Sequence, residues 1–229
     1  MKERLGEDVI AMRAAKELKP GDCCNLGLGL PQLLAMYVPD GVRFQAENGA
    51  LGYGPLVTED NWQEADYGRV DAGGRFFTDA PGMSYFDFLT SFAMIRSGRI
   101  YSVLGGLQVS EKGDLANHSM GGEDIYLMIG GAMDLAWGAK KVIVTMTHTT
   151  KDGKPKIVSK LTLPAPARNS VDMVITDLAV MDITDRFECN IFGVWFFNRN
   201  FNPYVFRILS FSLQLCILSL NTAGAKNFF

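Results

Sequence analysis

Histidine is scarce in this chain: only His118 and His148 occur among 229 residues. The four cysteines, Cys23, Cys24, Cys189 and Cys216, contain no C-x-x-C spacing. Together these shortages argue against a structural zinc site, which needs four clustered thiolate or imidazole ligands. Excess positive charge is also absent, since 22 basic residues face 25 acidic ones for a net charge of -3. That balance gives no electrostatic reason to expect nucleic acid as a partner. Residues 1–18 mix Glu3, Glu7, Asp8 and Glu17 with their bases and lack the apolar block of a secretory signal, so a mature cytoplasmic N-terminus is expected. The longest clean apolar stretch, 208–220, contains Ser and Gln and falls short of the ~20 residues that span a bilayer. No membrane span is expected.

What remains is an ordinary globular composition, 48% apolar and 21% charged, in a chain long enough to bury a substantial core. Residues 1–18 are rich in helix formers, with an approximate stripe at Val9, Ile10, Met12, Ala14 and Leu18 that ends before Pro20-Gly21. Beyond it, strand-like runs alternate with helical ones. Strands are expected over 23–30, 42–46, 100–107, 141–146, 171–175 and 179–183, and helices over 32–37, 90–95 and 132–139. This alternation predicts an α/β fold, an open mixed or mostly parallel sheet with helices on both faces. Lys151-Asp-Gly-Lys-Pro155 reads as a turn that can close a hairpin. Adjacent Cys23 and Cys24 sit in an apolar run and read as buried strand positions rather than as a disulfide.

The clearest local feature is a carboxylate placed where a strand turns, Glu47-Asn48-Gly49 after the apolar run 42–46. Asn-Gly favours the left-handed backbone of a tight hairpin turn, so the tripeptide alone reads as an exposed Glu beside a turn. Asn25-Leu-Gly-Leu-Gly29 suggests a dinucleotide loop, but the third glycine is missing and Pro31 stands at the helix entrance. Gly130-Gly131 precedes a helical run and by itself is a helix-entry device. His118 and His148 have no partner spacing and read as packing or surface residues, while Lys140-Lys141 reads as the solvated end of a helix.

Taken in order, these segments carry more. Phe44-Gln-Ala-Glu-Asn-Gly-Ala-Leu-Gly52 resembles the active-site signature of family I CoA-transferases, in the beta (B-type) subunit of 3-oxoacid and short-chain acyl enzymes. Further matching segments occur in the same order. They are Asn25-Leu-Gly-Leu-Gly-Leu-Pro31, Ser91-Phe-Ala-Met-Ile-Arg96, Leu104-Gly-Gly-Leu-Gln-Val109, Gly113-Asp-Leu-Ala-Asn117, Gly130-Gly-Ala-Met-Asp-Leu135, Lys140-Lys-Val-Ile-Val-Thr-Met146, Leu161-Thr-Leu-Pro164 and Ile175-Thr-Asp-Leu-Ala-Val180.

The resemblance implies a CoA-transferase-like fold and a ping-pong transfer of CoA between an acyl-CoA and a carboxylic acid. Glu47 would be the nucleophile and carry a glutamyl-CoA thioester, with the Gly131 backbone N–H beside it. It implies CoA contacts at Asn25, Gly27, Gly29, Asn48, Gly49, Gly130 and Ala132. No metal and no tightly bound cofactor are expected, coenzyme A being substrate and covalent intermediate. A separately encoded CoA-transferase alpha (A-type) subunit would complete a heterodimer or heterotetramer. A homologue that binds that partner without turnover is the alternative expectation.

Departures from the pattern are specific. Ala46 replaces the usual Ser, Ala50 replaces a larger aliphatic residue, and Gly74 stands where many members carry a CoA-contacting Lys, with Arg75 next to it. His118-Ser-Met-Gly-Gly-Glu-Asp-Ile-Tyr126 replaces a Trp-x-x-Pro-Gly-Lys stretch. The resemblance stops near Phe187. The chain is accordingly read as a CoA-transferase beta-subunit domain over 1–187 and a divergent apolar tail over 188–229.

Overall fold

A computed structural model of the chain describes residues 6–121 and 129–183 in full and the backbone of 189–194. Most of the expected tail, 195–229, and part of the divergent stretch after His118 lie outside the described residues, as do the side chains of Cys189 and Cys216. The elements, in chain order, are α1 (Glu7–Ala15), β1 (Cys23–Leu26), β2 (Arg43–Ala46), β3 (Ala50–Leu51), β4 (Ser84–Tyr85), α2 (Phe88–Ile95), β5 (Tyr101–Gly105), β6 (Gln108–Ser110) and β7 (Leu115–Ala116). They continue with α3 (Ala132–Gly138), β8 (Lys141–Thr145), β9 (Ile157–Val158), β10 (Met173–Ile175), β11 (Ala179–Ile183) and β12 (Cys189–Val194).

Nine strands form one sheet in the order β12-β11-β10-β8-β5-β1-β2-β3-β4, and β7-β6-β9 form a small second sheet. The five central strands, β10, β8, β5, β1 and β2, run parallel, whereas both flanks are antiparallel. The expected mixed α/β sheet is therefore present. The edge strand β12 begins just past the expected boundary at Phe187 and pairs with β11 from Ile183↔Cys189 to Ala179↔Val194.

Strand residues divide by parity between two apolar layers, as the two-residue period of a pleated strand requires. Leu104, Val142, Val144 and Val174 pack with Phe92, Ile95, Leu135 and Ala136 of α2 and α3. Their neighbours Val103, Ile143, Met173 and Ile175 pack with Ile10, Ala11, Ala14 and Ala15 of α1 on the opposite face. Helices thus cover both faces. The α1 stripe is rotated from the one expected: Ala11 and Ala15 are buried and Met12 is 45% exposed. Small alanines let this helix lie close to the sheet, and that close approach decides which face turns inward.

Three expected elements differ in kind or extent. The strand expected over 23–30 stops at Leu26; Gly27 N–H still donates to Val103 C=O of β5 at 2.8 Å, and Gly29 then adopts φ +78°. The helix expected over 32–37 is a run of 3₁₀ turns over Leu30–Met36, started by Pro31, which cannot donate a backbone hydrogen bond. The strand expected over 100–107 is interrupted after Gly105, and β6 leaves for the second sheet. The turn at Lys151-Asp-Gly-Lys-Pro155 closes through a single antiparallel bridge, Thr149↔Pro155, with Gly153 at φ +83°.

Candidate active site

Chain order along the sheet places a crevice between β1 and β5. From β1 the chain proceeds to β2 on one side, and later strands build out through β5 on the other. Such a reversal of strand order leaves a gap beyond the carboxyl ends of the strands, where open α/β folds place their ligands. A cavity of about 330 Å³ lies there. Its walls include Gly27 after β1, Glu47 after β2, Gly105 and Gly106 around the end of β5, and Gly130, Gly131 and Ala132 at the start of α3.

Glu47 occupies the first position of the three-residue loop joining β2 to β3, whose last and first pairs are Ala46↔Ala50 and Gln45↔Leu51. The loop is closed by Gly49 N–H donating to Ala46 C=O at 2.9 Å and pinned by Phe86 N–H donating to Gly49 C=O at 3.0 Å. Gly49 has φ +120°, and a Cβ there would collide with the Phe86 carbonyl. Only glycine satisfies both constraints. The hairpin expected from Asn-Gly is thus also locked from outside, by Phe86, the residue just after β4.

The Glu47 side chain meets the start of α3. The backbone N–H of Gly131 lies beside the carboxylate and stabilises its charged form. A Cβ on Gly131 would fall into Oε2 and lie 2.8 Å from Cδ and 3.1 Å from Oε1. Burial pushes the Glu47 pKa up from the ordinary glutamate value, the Gly131 hydrogen bond opposes that shift, and Asp134 adds to it. The carboxylate is therefore partly stripped of water yet stabilised by a neighbouring backbone N–H, a condition that favours reactivity in a fixed position.

Behind Glu47 runs a fully buried polar chain. Asn25 Nδ2 donates to the Gln45 carbonyl at 3.0 Å and to Gln45 Oε1 at 2.7 Å. Gln45 Nε2 in turn donates to Ser91 Oγ at 2.7 Å and to the Ala46 carbonyl at 3.1 Å. Through these bonds β1, β2 and α2 hold the end of β2 in one position. Sequence reasoning singled out Asn25 for CoA contact and overlooked Gln45 and Ser91. An apolar strand carrying one Gln gives no signal of a buried network until its neighbours are known.

The other residues named from sequence separate into two groups. Asn25, Gly27, Gly130, Gly131 and Ala132 line the cavity with Glu47. Gly29, Asn48 and Gly49 do not: Gly29 shapes the turn into the 3₁₀ segment, Asn48 is exposed and donates to the Val70 carbonyl at 2.7 Å, and Gly49 lies under Phe86. Arg75 is outside the lining as well, whereas its loop enters it through Asp71, Ala72 and Gly73. Asp71 Oδ1 accepts from the N–H groups of Gly73 at 2.8 Å and Arg75 at 2.9 Å, which folds that loop over the cavity.

The two histidines part company. His118, read from sequence as packing or surface, is a wall of the cavity. His148 is buried at β8's end, with Nδ1 3.1 Å from Thr176 Oγ1 and its backbone N–H donating to Asp177 at 2.6 Å. Lys140 and Lys141 pair with Asp22 at 3.9 Å and Glu17 at 3.5 Å, away from the site. Cys23 and Cys24 are free thiols on β1. Burial pushes both up, Cys23 to about 11, which makes them poor nucleophiles. Among the described residues no helix is long and apolar enough to cross a membrane.

Comparison with known proteins places this geometry. The family model described as Coenzyme A transferase matches residues 8–190. The beta subunit of the acetate CoA-transferase of Escherichia coli K12 is 46% identical over 179 residues, covering 77% of this chain and 80% of its own length. The B-type subunit of the probable succinyl-CoA:3-ketoacid coenzyme A transferase of Bacillus subtilis is 46% identical over 76% of this chain and 80% of its own. The B-type subunit of the 3-oxoadipate CoA-transferase of Acinetobacter baylyi is 43% identical over 79% and 83%. In fold, the chain is similar to glutaconate coenzyme A-transferase from Acidaminococcus fermentans, with TM-score 0.58 and 17% identity over 84% of this chain and 81% of that one. An acyl-CoA transferase from Escherichia coli O157:H7 gives TM-score 0.63 at 16% identity over 85% of this chain and 39% of its own longer chain. By the extent of the match and the identity of these relatives, the chain belongs to the coenzyme A transferase family and is a transferase of the beta-subunit kind.

Proposed function

We propose that this chain transfers CoA between short-chain acids by a ping-pong route through Glu47, working with a separately encoded alpha subunit. The observation that carries the reading is the packing of the Glu47 carboxylate directly against the Gly131 backbone at the crevice beyond β1 and β5. A carboxylate attacks a thioester carbonyl without a base, because a carboxyl group is ordinarily ionised near neutral pH.

Glu47 adds to the acyl-CoA carbonyl, and collapse of the resulting oxyanion expels CoA thiolate and leaves an acyl-glutamyl anhydride. The thiolate then attacks the glutamyl carbonyl, forming glutamyl-CoA thioester and releasing the first acid as its carboxylate. An acceptor carboxylate attacks that thioester, again freeing thiolate and leaving a second anhydride. Thiolate attack on its acyl carbonyl gives the new acyl-CoA and restores Glu47. No proton is consumed at any step. In the two attacks on the glutamyl carbonyl, negative charge develops on a Glu47 oxygen, and the Gly131 N–H already points at that group. The apolar walls around it limit hydrolysis of the intermediate by excluding water.

Support for a partner comes from relatives that are themselves named as subunits of two-part transferases. Coenzyme A itself is the natural occupant of the glycine-lined entrance at Gly27, Gly130 and Gly131, where backbone and ligand approach without intervening side chains. Incubation of the chain, copurified with its alpha subunit, with acyl-CoA should add one CoA to the peptide bearing Glu47, read by mass spectrometry. Glu47→Gln should abolish both adduct and exchange while the complex persists. Normal turnover in that variant, or a wild-type complex that forms yet transfers no CoA, would sink the reading.

A further inference from the structure

Helix α2 touches both halves of the site. Just ahead of it, Phe86 N–H donates to the carbonyl of Gly49 in the loop that carries Glu47. One turn in, Ser91 Oγ accepts from Gln45 Nε2 near the end of β2. At its other end α2 lies backbone to backbone on α3: Gly98 N–H donates to Gly138 C=O at 3.0 Å, and a Cβ on Gly138 would lie 2.6 Å from Arg96 Cα. Phe92 and Ile95 pack with Leu135 and Ala136 between them. Arg96 then reaches back along α3, its Nε donating to Asp134 Oδ1 at 2.6 Å and its guanidinium carbon 5.6 Å from the Phe92 ring centroid. Asp134 stands in the first turn of α3, the turn that Gly131 opens.

Ser91 and Arg96 open and close the segment Ser91-Phe-Ala-Met-Ile-Arg96, and they hold the strand of Glu47 and the turn of Gly131 respectively. We infer that α2 is the strut that sets the spacing of Glu47 from Gly131, and that Arg96 is a positioning residue that fixes the first turn of α3 through Asp134. The inference rests on the reading of Glu47 as the nucleophile. An exposed ion pair adds little to stability, and the Arg96 side chain is 59% exposed. Alignment is the more demanding requirement, since reacting groups displaced by about 1 Å can slow a reaction by about 10²-fold. The pair also has an electrostatic effect. Asp134 disfavours the ionised form of Glu47, so a guanidinium on Asp134 limits its repulsion of the charge that forms on a Glu47 oxygen during the reaction.

Arg96→Met, in the chain copurified with its alpha subunit, removes the guanidinium and keeps an apolar stem. Its kcat should fall roughly fivefold or more with no rise in KM for acyl-CoA or acid, and the CoA adduct on the Glu47 peptide should form more slowly after mixing with acyl-CoA. Arg96→Lys should recover part of the rate, because an ammonium can still pair with Asp134. Arg96→Met combined with Asp134→Asn should be no slower than Arg96→Met alone, since one residue acts through the other. Unchanged kcat and adduct formation in Arg96→Met overturn the inference and leave the nucleophile reading intact. A raised KM for acyl-CoA at unchanged kcat overturns it as well, by marking a direct contact with CoA, and so does a double variant in which the two losses multiply. Loss of folding or assembly in Arg96→Met also overturns it, because a structural role then accounts for the residue. A wild type that exchanges CoA with no adduct on Glu47 refutes both readings together.

Discussion

The Glu47 carboxylate fills the space that a side chain on Gly131 would need, and the Gly131 backbone N–H stabilises the charge of that same carboxylate. One residue belongs to a hairpin loop and the other to the start of α3, so two segments distant in sequence meet at this contact. Steric room and electrostatic support are therefore the same feature. A Cβ at this position would collide with the carboxylate.

Gly131→Ala should lower kcat by roughly 10²-fold or more, the range seen when one oxyanion donor is lost. The added methyl must push the Glu47 side chain away from the N–H. Steady-state assays of the variant against several acids would check this: a uniform fall in kcat is expected, whereas a change confined to KM would contradict it.

Glu47→Gln should raise stability at neutral pH while lowering kcat by more than roughly 10³-fold. Burial raises the folded pKa of Glu47, so the unfolded chain ionises first and the ionised form favours unfolding above both values. The advantage of the amide should fade as pH falls through the raised folded value toward the ordinary one. Thermal melts of wild type and variant across that range supply the comparison, and a variant less stable at neutral pH would refute it.

Asn25→Ala should destabilise the chain by about 1–3 kcal/mol, because it leaves Gln45 Oε1 buried without its donor. Gln45→Ala should cost a similar amount, and the double substitution less than the sum, since both changes remove one network. Denaturant titrations of the three variants give the coupling directly. Strict additivity would mean that the Asn25–Gln45 pair contributes nothing of its own.

His148 should make the fold sensitive to mild acid. Burial lowers its pKa below the ordinary 6.5, only partly offset by Asp177. The stability of the neutral ring is fully present above the unfolded value and is lost as pH falls through it toward the lowered folded value. Denaturation midpoints between about pH 7.5 and 5.5 should fall in the wild type and flatten in His148→Asn. Performing both in the Glu47→Gln background removes the opposing contribution of that carboxylate.

Much of the architecture is legible in the order of residues. The β-branched run at 141–146 is apolar on both sides, and β8 lies between two parallel strands, β10 and β5, with its residues split between the two layers. The turn at Glu47-Asn48-Gly49 follows from Asn-Gly chemistry, because positive φ at Gly49 is a local requirement. Strand ends are less legible: β1 and β5 both stop short at glycines whose turning depends on what packs beside them.

The site divides along the same line. Residue order along the chain determined which segment carries a carboxylate on a tight turn and, by its ordered resemblance, which family that turn belongs to. Only tertiary structure brought Gly131 against Glu47, turned Gln45 toward Asn25 and Ser91, and put His118 on the cavity wall. The physical reason is range. A turn and a strand's two-residue period are set by neighbours in sequence, whereas a contact between a hairpin loop and a helix start exists only after the sheet has chosen its strand order.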